Sequence, residues 1–187
     1  MLLDTIKEIE QLKMKNEDVG RKIILHINAE KRKVLSEVKN EFINFFREKD
    51  FKITEPNGLI LASYGSYKIS LTIPSADAVF LGAFSVVHIN IDGTLKKNYT
   101  VPIVEINRSN GANIRTINIP KTEIEKLKQE KANLLSKFEE LQNRLTNLNN
   151  FRLGFTYYDT DERKKNPHIV ISSMPYSTFK EILPLLF

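Results

Sequence analysis

Cysteine is absent from this chain of 187 residues. That excludes a disulfide framework, a thiolate nucleophile and any zinc site built on sulfur, and it accords with a cytoplasmic setting. Long apolar runs are absent as well. None approaches the roughly 20 residues that a membrane-spanning helix needs, and Met1-Leu2-Leu3-Asp4 passes straight into a helical pattern with no apolar leader behind it. Concentrated charge of one sign is the third absence. The net charge is +5, but it is an excess of one over residues 1–50 and of two over each of 51–119 and 120–187. A nucleic-acid surface gathers its basic charge on one face or stripe. Chemical signatures are missing too: there is no phosphate-binding glycine loop, no nucleophile elbow and no His-Glu-x-x-His. His26, His88 and His168 lie too far apart to match a metal-ligand spacing. These absences argue against an enzyme and against any catalytic, cofactor or metal site.

What is present is the composition of an ordinary globular protein, 41% hydrophobic and 27% charged. Isoleucine, asparagine and lysine are heavily used and Lys outnumbers Arg, which hints at an AT-rich bacterial or phage genome. The most informative pattern is a heptad frame. Leu127, Leu134, Leu141 and Leu148 recur every seventh residue, and Ile124, Lys131, Phe138 and Leu145 fill the companion a-type series. Such a stripe must dock along a second helix, through intramolecular antiparallel pairing or through dimerisation. Lys131 at an a position is costly in a buried seam and suits a role in setting register. Leu135 beside the seam widens the apolar face beyond a strict two-in-seven stripe.

The rest of the chain reads as α+β. Residues 1–50 form a helical segment, with Leu2, Ile6, Ile9 and Leu12 at helical spacing and Val19 to Phe46 continuing it. Unbroken, it would be about 70 Å long, so the reading places a break near Asn16–Gly20 or makes the segment a projecting coiled coil. Residues 51–119 switch to period two and form an antiparallel meander of about five or six strands. Asn57-Gly58, Asp92-Gly93 and Asn110-Gly111 supply hairpin turns. Pro74 and Pro102 belong at strand ends, edges or bulges. Residues 120–150 carry the heptad helix behind Pro120 and a Thr122-x-x-Glu125 capping box. Residues 151–187 give a smaller hairpin (Phe151–Tyr158 and His168–Met174, joined by a charged loop over Asp159–Pro167) and a short helix from Tyr176 to Leu186 crossed by Pro184. The two long amphipathic helices form a coiled-coil-like seam, and the whole reads as one domain with a helical extension. Helix, hairpins, helix resembles prefoldin subunits in outline only; the further hairpin and helix depart from it, and outline does not carry function.

Several constellations invite chemistry and are better explained without it. His88, Asn90 and Asp92 share a strand face, but neighbours there stand nearly 7 Å apart, too far for direct hydrogen bonds. Asp92 and Glu105-Ile106-Asn107 resemble the Asp…Glu-x-Lys arrangement of metal-dependent nucleases, yet Asn107 stands where the lysine belongs. Asp159-Thr160-Asp161-Glu162 is too short for a calcium loop and runs into Arg163-Lys164-Lys165. The basic clusters Lys31-Arg32-Lys33, Lys96-Lys97 and Arg163-Lys164-Lys165 could touch phosphates but have few aromatics beside them. Val79-Phe80-Leu81-Gly82-Ala83-Phe84 reads first as a buried strand. Its alternative is an exposed apolar tip that presents Phe80, Leu81 and Phe84 to a partner. The expectation is a non-enzymatic protein-interaction module, dimeric, with a protein partner. A phage or mobile-element accessory factor that blocks a host protein is one instance, and a nucleic-acid-binding protein with a basic face assembled across a dimer is the alternative.

Overall fold

A computed structural model describes residues 2–94, 96–106, 122–166 and 175–187. The fold is α+β, as the sequence indicates, and divides into two compact units, Met1–Ile27 with Ser109–Phe151, and Asn28–Arg108 with Arg152–Phe187. The Asn110-Gly111 turn, Pro120 and the His168–Met174 strand lie outside the described residues.

Helix α1 runs without interruption over Leu2–Arg47, so of the two alternatives read from sequence the break near Asn16–Gly20 does not occur. A glycine inside a helix costs only about 1 kcal/mol against alanine, and Val19 and Ile23 on either side are buried in a cluster with Leu148. In the first unit, residues 2–27 of α1 pair with α2, Glu123–Thr146. The buried positions of this stretch, Ile9, Leu12, Asn16, Val19 and Ile23, follow the alternating three- and four-residue steps of a heptad seam. Helix α2 starts at the capping box read from sequence: Glu125 N–H donates to Thr122 Oγ1 at 3.2 Å and Thr122 N–H donates to Glu125 Oε2 at 3.1 Å.

The two helices run parallel, which corrects the antiparallel pairing expected within one chain. Glu8 meets Lys131 at 2.6 Å, Lys13 meets Glu130 at 3.1 Å, Asn16 Nδ2 donates to the Leu134 carbonyl at 3.1 Å, and His26 lies edge-on to Phe151. From Lys13–Glu130 through Asn16–Leu134 to His26–Phe151, just past the end of α2, residue numbers climb together. Antiparallel pairing follows from a short connecting turn; here a whole meander separates the helices in sequence and leaves their direction free. Lys13 and Glu130 sit at e and g positions of the two frames, where partners in a coiled coil exchange ion pairs.

In the second unit, the part of α1 from Asn28 onward buries Lys31, Val34, Leu35, Val38, Phe42 and Phe46, a wider stripe than a two-helix seam needs. The sheet is antiparallel throughout, in the order β1-β2-β3-β4-β5-β6 with β7 also on β5. Its strands are β1 Lys52–Thr54, β2 Ile60–Tyr64, β3 Tyr67–Thr72, β4 Ser85–Asp92, β5 Lys97–Glu105, β6 Leu153–Phe155 and β7 Tyr158–Asp159. One face is core: Leu71, Val87, Ile89, Val101 and Ile103 are fully buried, and Phe42, Phe179, Ile182 and Leu183 are buried in the same unit. The other face carries His88, Asn90 and Asp92 in solvent, because side chains alternate along a strand.

Asn57 and Gly58 both take the positive φ read from sequence, within a 3₁₀ turn over Pro56–Gly58. The tightest hairpin, β2 to β3 through Gly65-Ser66, has Gly65 at φ 57° and was not anticipated. At Gly93 an added Cβ would lie 2.8 Å from the exposed Tyr67 ring, which would have to shift to admit a side chain. Pro102 sits inside β5, in the interval where neither β6 nor β7 pairs, and its carbonyl accepts from Thr156 N–H at 3.1 Å. A residue without an N–H is tolerated at such a gap.

Three local expectations are corrected. The apolar run Val79–Phe84 is not a strand: β3 ends at Thr72, β4 begins at Ser85, and the run lies in the loop between them with Gly82 at φ 79°. The charged loop over Asp159–Pro167 contains helix α3, Thr160–Lys165, while Pro167 is outside the described residues. Asp159 caps it by accepting from Asp161 N–H at 2.9 Å and Glu162 N–H at 3.0 Å. The C-terminal helix is confined to α4, Leu183–Leu186, with Pro184 in its first turn, where the missing N–H leaves no intrahelical bond unmade. Phe151–Tyr158 resolves into β6 and β7, which extend the main sheet.

Candidate interaction surfaces

The heptad positions divide by burial. Leu127, Lys131, Leu134, Phe138, Leu141 and Leu145 are half-buried, Leu148 is buried just beyond the helix, and Ile124 is exposed. Phe138, Leu141 and Leu145 pack against the cluster of Val19, Ile23 and Leu148. Lys131 avoids the cost of a buried ammonium by reaching Glu8. Asn16 is a seam residue that the sequence reading passed over. It is 6% exposed, and among the described residues its Oδ1 has no hydrogen-bond partner. The heptad frame of α1 was the available signal, because Asn16 occupies the a position between Leu12 and Val19.

The helix pair leaves much apolar surface uncovered, at the seam position Ile124 and outside the seam. Leu3, Met14, Ile24, Leu25, Ile124 and Leu135 are all exposed. A cleft of about 660 Å³ runs along one side, lined by Gly20, Ile24, Leu25, Leu134 and Leu141 with Lys13 and Lys137 at its edges. Gly20 is the notch in that wall: a Cβ added there would meet nothing within 4 Å.

The second surface is the β3–β4 loop. Val79 is 93% exposed and Leu81 is fully exposed, while Phe80 and Phe84 are half-buried. The base of the loop is held. Lys31 is 5% exposed, and its ammonium donates to the Ala78 carbonyl at 2.7 Å. Ala78 N–H donates to the Ser75 carbonyl at 3.0 Å, Phe84 N–H donates to the Ile103 carbonyl at 2.8 Å, and Asp77 lies 3.7 Å from Arg32. Burial lowers the Lys31 pKa, and the charge of Asp77 opposes that shift.

The sequence-level chemical constellations do not assemble. Asp92 lies beyond the Ile91–Lys97 pair and Glu105 pairs with Leu153, so eight residues of β5, about 26 Å at 3.3 Å per residue, separate their levels. Asn107, the third member of that pattern, is outside the described residues. His88 Nδ1 is 3.4 Å from Thr100 Oγ1, whose other contact is Thr160 Oγ1 at 2.8 Å. The acidic run is used internally, with Asp159 as a cap and Asp161 accepting from Asn98 Nδ2 at 2.8 Å. No cluster of three metal-binding side chains occurs among the described residues.

The basic clusters are likewise dispersed. Lys31 is buried, Arg163 stacks 4.2 Å from the Tyr158 ring, and Lys164 faces Asp161 at 3.7 Å. Among the described residues no helix is long and apolar enough to cross a membrane. No family model, curated protein or solved structure matches this chain.

Proposed function

We propose that this chain is a non-enzymatic protein-interaction module that works as a homodimer and engages a partner protein through its β3–β4 loop. One observation carries this reading: Val79 and Leu81 stand in solvent on a loop whose base is fixed by a buried lysine. Burying a side chain of this size is worth roughly 1.5–3 kcal/mol, so the loop forgoes several kcal/mol that covering it would recover. An apolar tip on a pre-ordered backbone has little entropy left to lose on binding, which favours recognition. The dimer reading draws on the apolar surface that the helix pair leaves open.

Site-specific photo-crosslinking in the cells from which the chain comes tests the partner role. A photoreactive residue at position 81 is expected to trap one discrete protein, and the same residue at the exposed position 139 of α2 is not. Val79→Asp should abolish the adduct while circular dichroism stays unchanged. Equal labelling from both positions, or none from position 81, removes the reading.

A further inference from the structure

Helix α1 carries a second stripe besides its seam. Glu10, Met14, Glu17, Arg21 and Ile24 follow one another in alternating steps of four and three residues, and all five are exposed. Glu10, Glu17 and Ile24 each come one residue after a buried seam position, Ile9, Asn16 and Ile23, so the stripe lies about 100° around the helix from the seam. Its two apolar members stand in solvent, Met14 at 69% and Ile24 at 58% exposure. Glu17 and Arg21 are one turn apart on it, and neither has an ion-pair partner among the described residues.

Reversed end for end about Val19, this stripe maps onto itself. Met14 falls opposite Ile24, so apolar meets apolar, and Glu17 falls opposite Arg21, so acid meets base. At the flank Leu25 falls opposite Lys13. The Lys13 ammonium is held by Glu10 at 3.0 Å and Glu130 at 3.1 Å, which leaves its methylene stem to lie over a leucine. A parallel arrangement in the same register would set Glu17 against Glu17 and Arg21 against Arg21, and facing like charges are costly. A two-fold interface requires one surface to be complementary to itself, which an unrelated partner would not. Building on the homodimer reading, on which this depends, we infer that a second copy docks antiparallel along the outer stripe of α1. The two-fold axis passes at the level of Val19, and two Glu17–Arg21 pairs form across it.

The absence of cysteine makes the full chain a clean host for crosslinking. A disulfide needs Cα atoms within about 7 Å. Met14→Cys mixed with Ile24→Cys should therefore give, on mild oxidation, a linked species of twice the 21.6 kDa chain mass. Neither variant alone should, because about 15 Å of helix separates like positions in the antiparallel pair. Charge supplies a second readout. Glu17→Arg alone and Arg21→Glu alone each set like charges across the interface, whereas a mixture of the two variants restores both cross pairs. Sedimentation equilibrium should show the mixture associating about tenfold more tightly than either variant with itself. Positions 17 and 21 keep like charges within each chain of the mixture, so an effect confined to the helix itself cannot produce that gain. A dimeric wild type whose variants link through Met14→Cys alone, or not at all, overturns the antiparallel stripe and leaves the homodimer reading standing, as does a mixture that associates no better than its components. A wild type that stays monomeric overturns both.

Discussion

Lys31 shows how one side chain can fix a loop at a cost in stability. Its ammonium is withdrawn from water to hold the Ala78 carbonyl, and desolvation lowers its pKa below 10.5. The unfolded chain keeps the ordinary value. Between the lowered value and 10.5 the unfolded state therefore binds more protons than the folded one, so stability rises as pH climbs through that window. Lys31→Met lacks this increment. Urea unfolding at pH 7 and at pH 10 should show wild type gaining relative to Lys31→Met at the higher pH. A difference that is the same at both pH values would mean that Lys31 is solvated in the folded state. Asn16 is the comparable case in the helical unit: a buried polar group in an apolar seam lowers stability while restricting register.

At the scale of elements, α1 ends in a Schellman closure: Asp50 takes φ 63°, Phe51 N–H donates to the Phe46 carbonyl at 3.0 Å and Asp50 N–H donates to the Arg47 carbonyl at 3.1 Å. A non-glycine residue in the left-handed region carries a steric cost that glycine lacks. Asp50→Gly should raise stability by about 0.5–1 kcal/mol, and Asp50→Val, β-branched at the same φ, should lower it by at least as much. Chemical denaturation of the two variants decides it; the reverse order would mean that the Asp50 side chain makes a compensating interaction.

The same scale separates what was legible in the sequence from what was not. The heptad stripe and the Thr122–Glu125 box were readable because spacing and cap are properties of one continuous stretch of sequence, from Thr122 to Leu148. Asn16 was legible only through such a frame in α1, as the a position between Leu12 and Val19, because its own side chain adds nothing to the hydrophobic period. The parallel direction of α1 and α2 was out of reach, because it depends on how the chain returns after the meander. Val79–Phe84 misled for a general reason: a short apolar run has the same composition whether it is buried in a sheet or displayed on a loop. Helix α3 was readable in principle. Asp159 as cap, acids in the first turn and Arg163-Lys164-Lys165 in the last follow the helix dipole. The cluster of Phe45, Phe46, Phe51 and Phe187 left no trace in sequence, because Phe51 reaches Phe46 only through the left-handed Asp50 and Phe187 comes from the far end of the chain.

For the molecule as a whole, the balance of the helical unit bears on oligomeric state. Helix α2 has no fully buried residue within its bounds, and helices draw most of their stability from packing rather than from propensity. A two-helix coil of about three heptads is a marginal structure by itself. Eight of the fourteen exposed large hydrophobic side chains among the described residues belong to this unit, Ile24, Leu25 and Leu135 among them. Pairing two such coils would turn half-buried positions into the core of a four-helix bundle. Light scattering at micromolar concentration should therefore give about twice the 21.6 kDa chain mass. Ile24→Lys with Leu25→Lys, outside the seam, should return the mass to that of one chain with helicity retained. Leu134→Lys with Leu141→Lys strikes the seam itself and should lower helicity as well. Because dimerisation stabilises by mass action, the melting temperature of wild type should rise with protein concentration and that of the Ile24/Leu25 variant should not. A wild-type mass near 21.6 kDa at tens of micromolar would show that the pair needs no second copy.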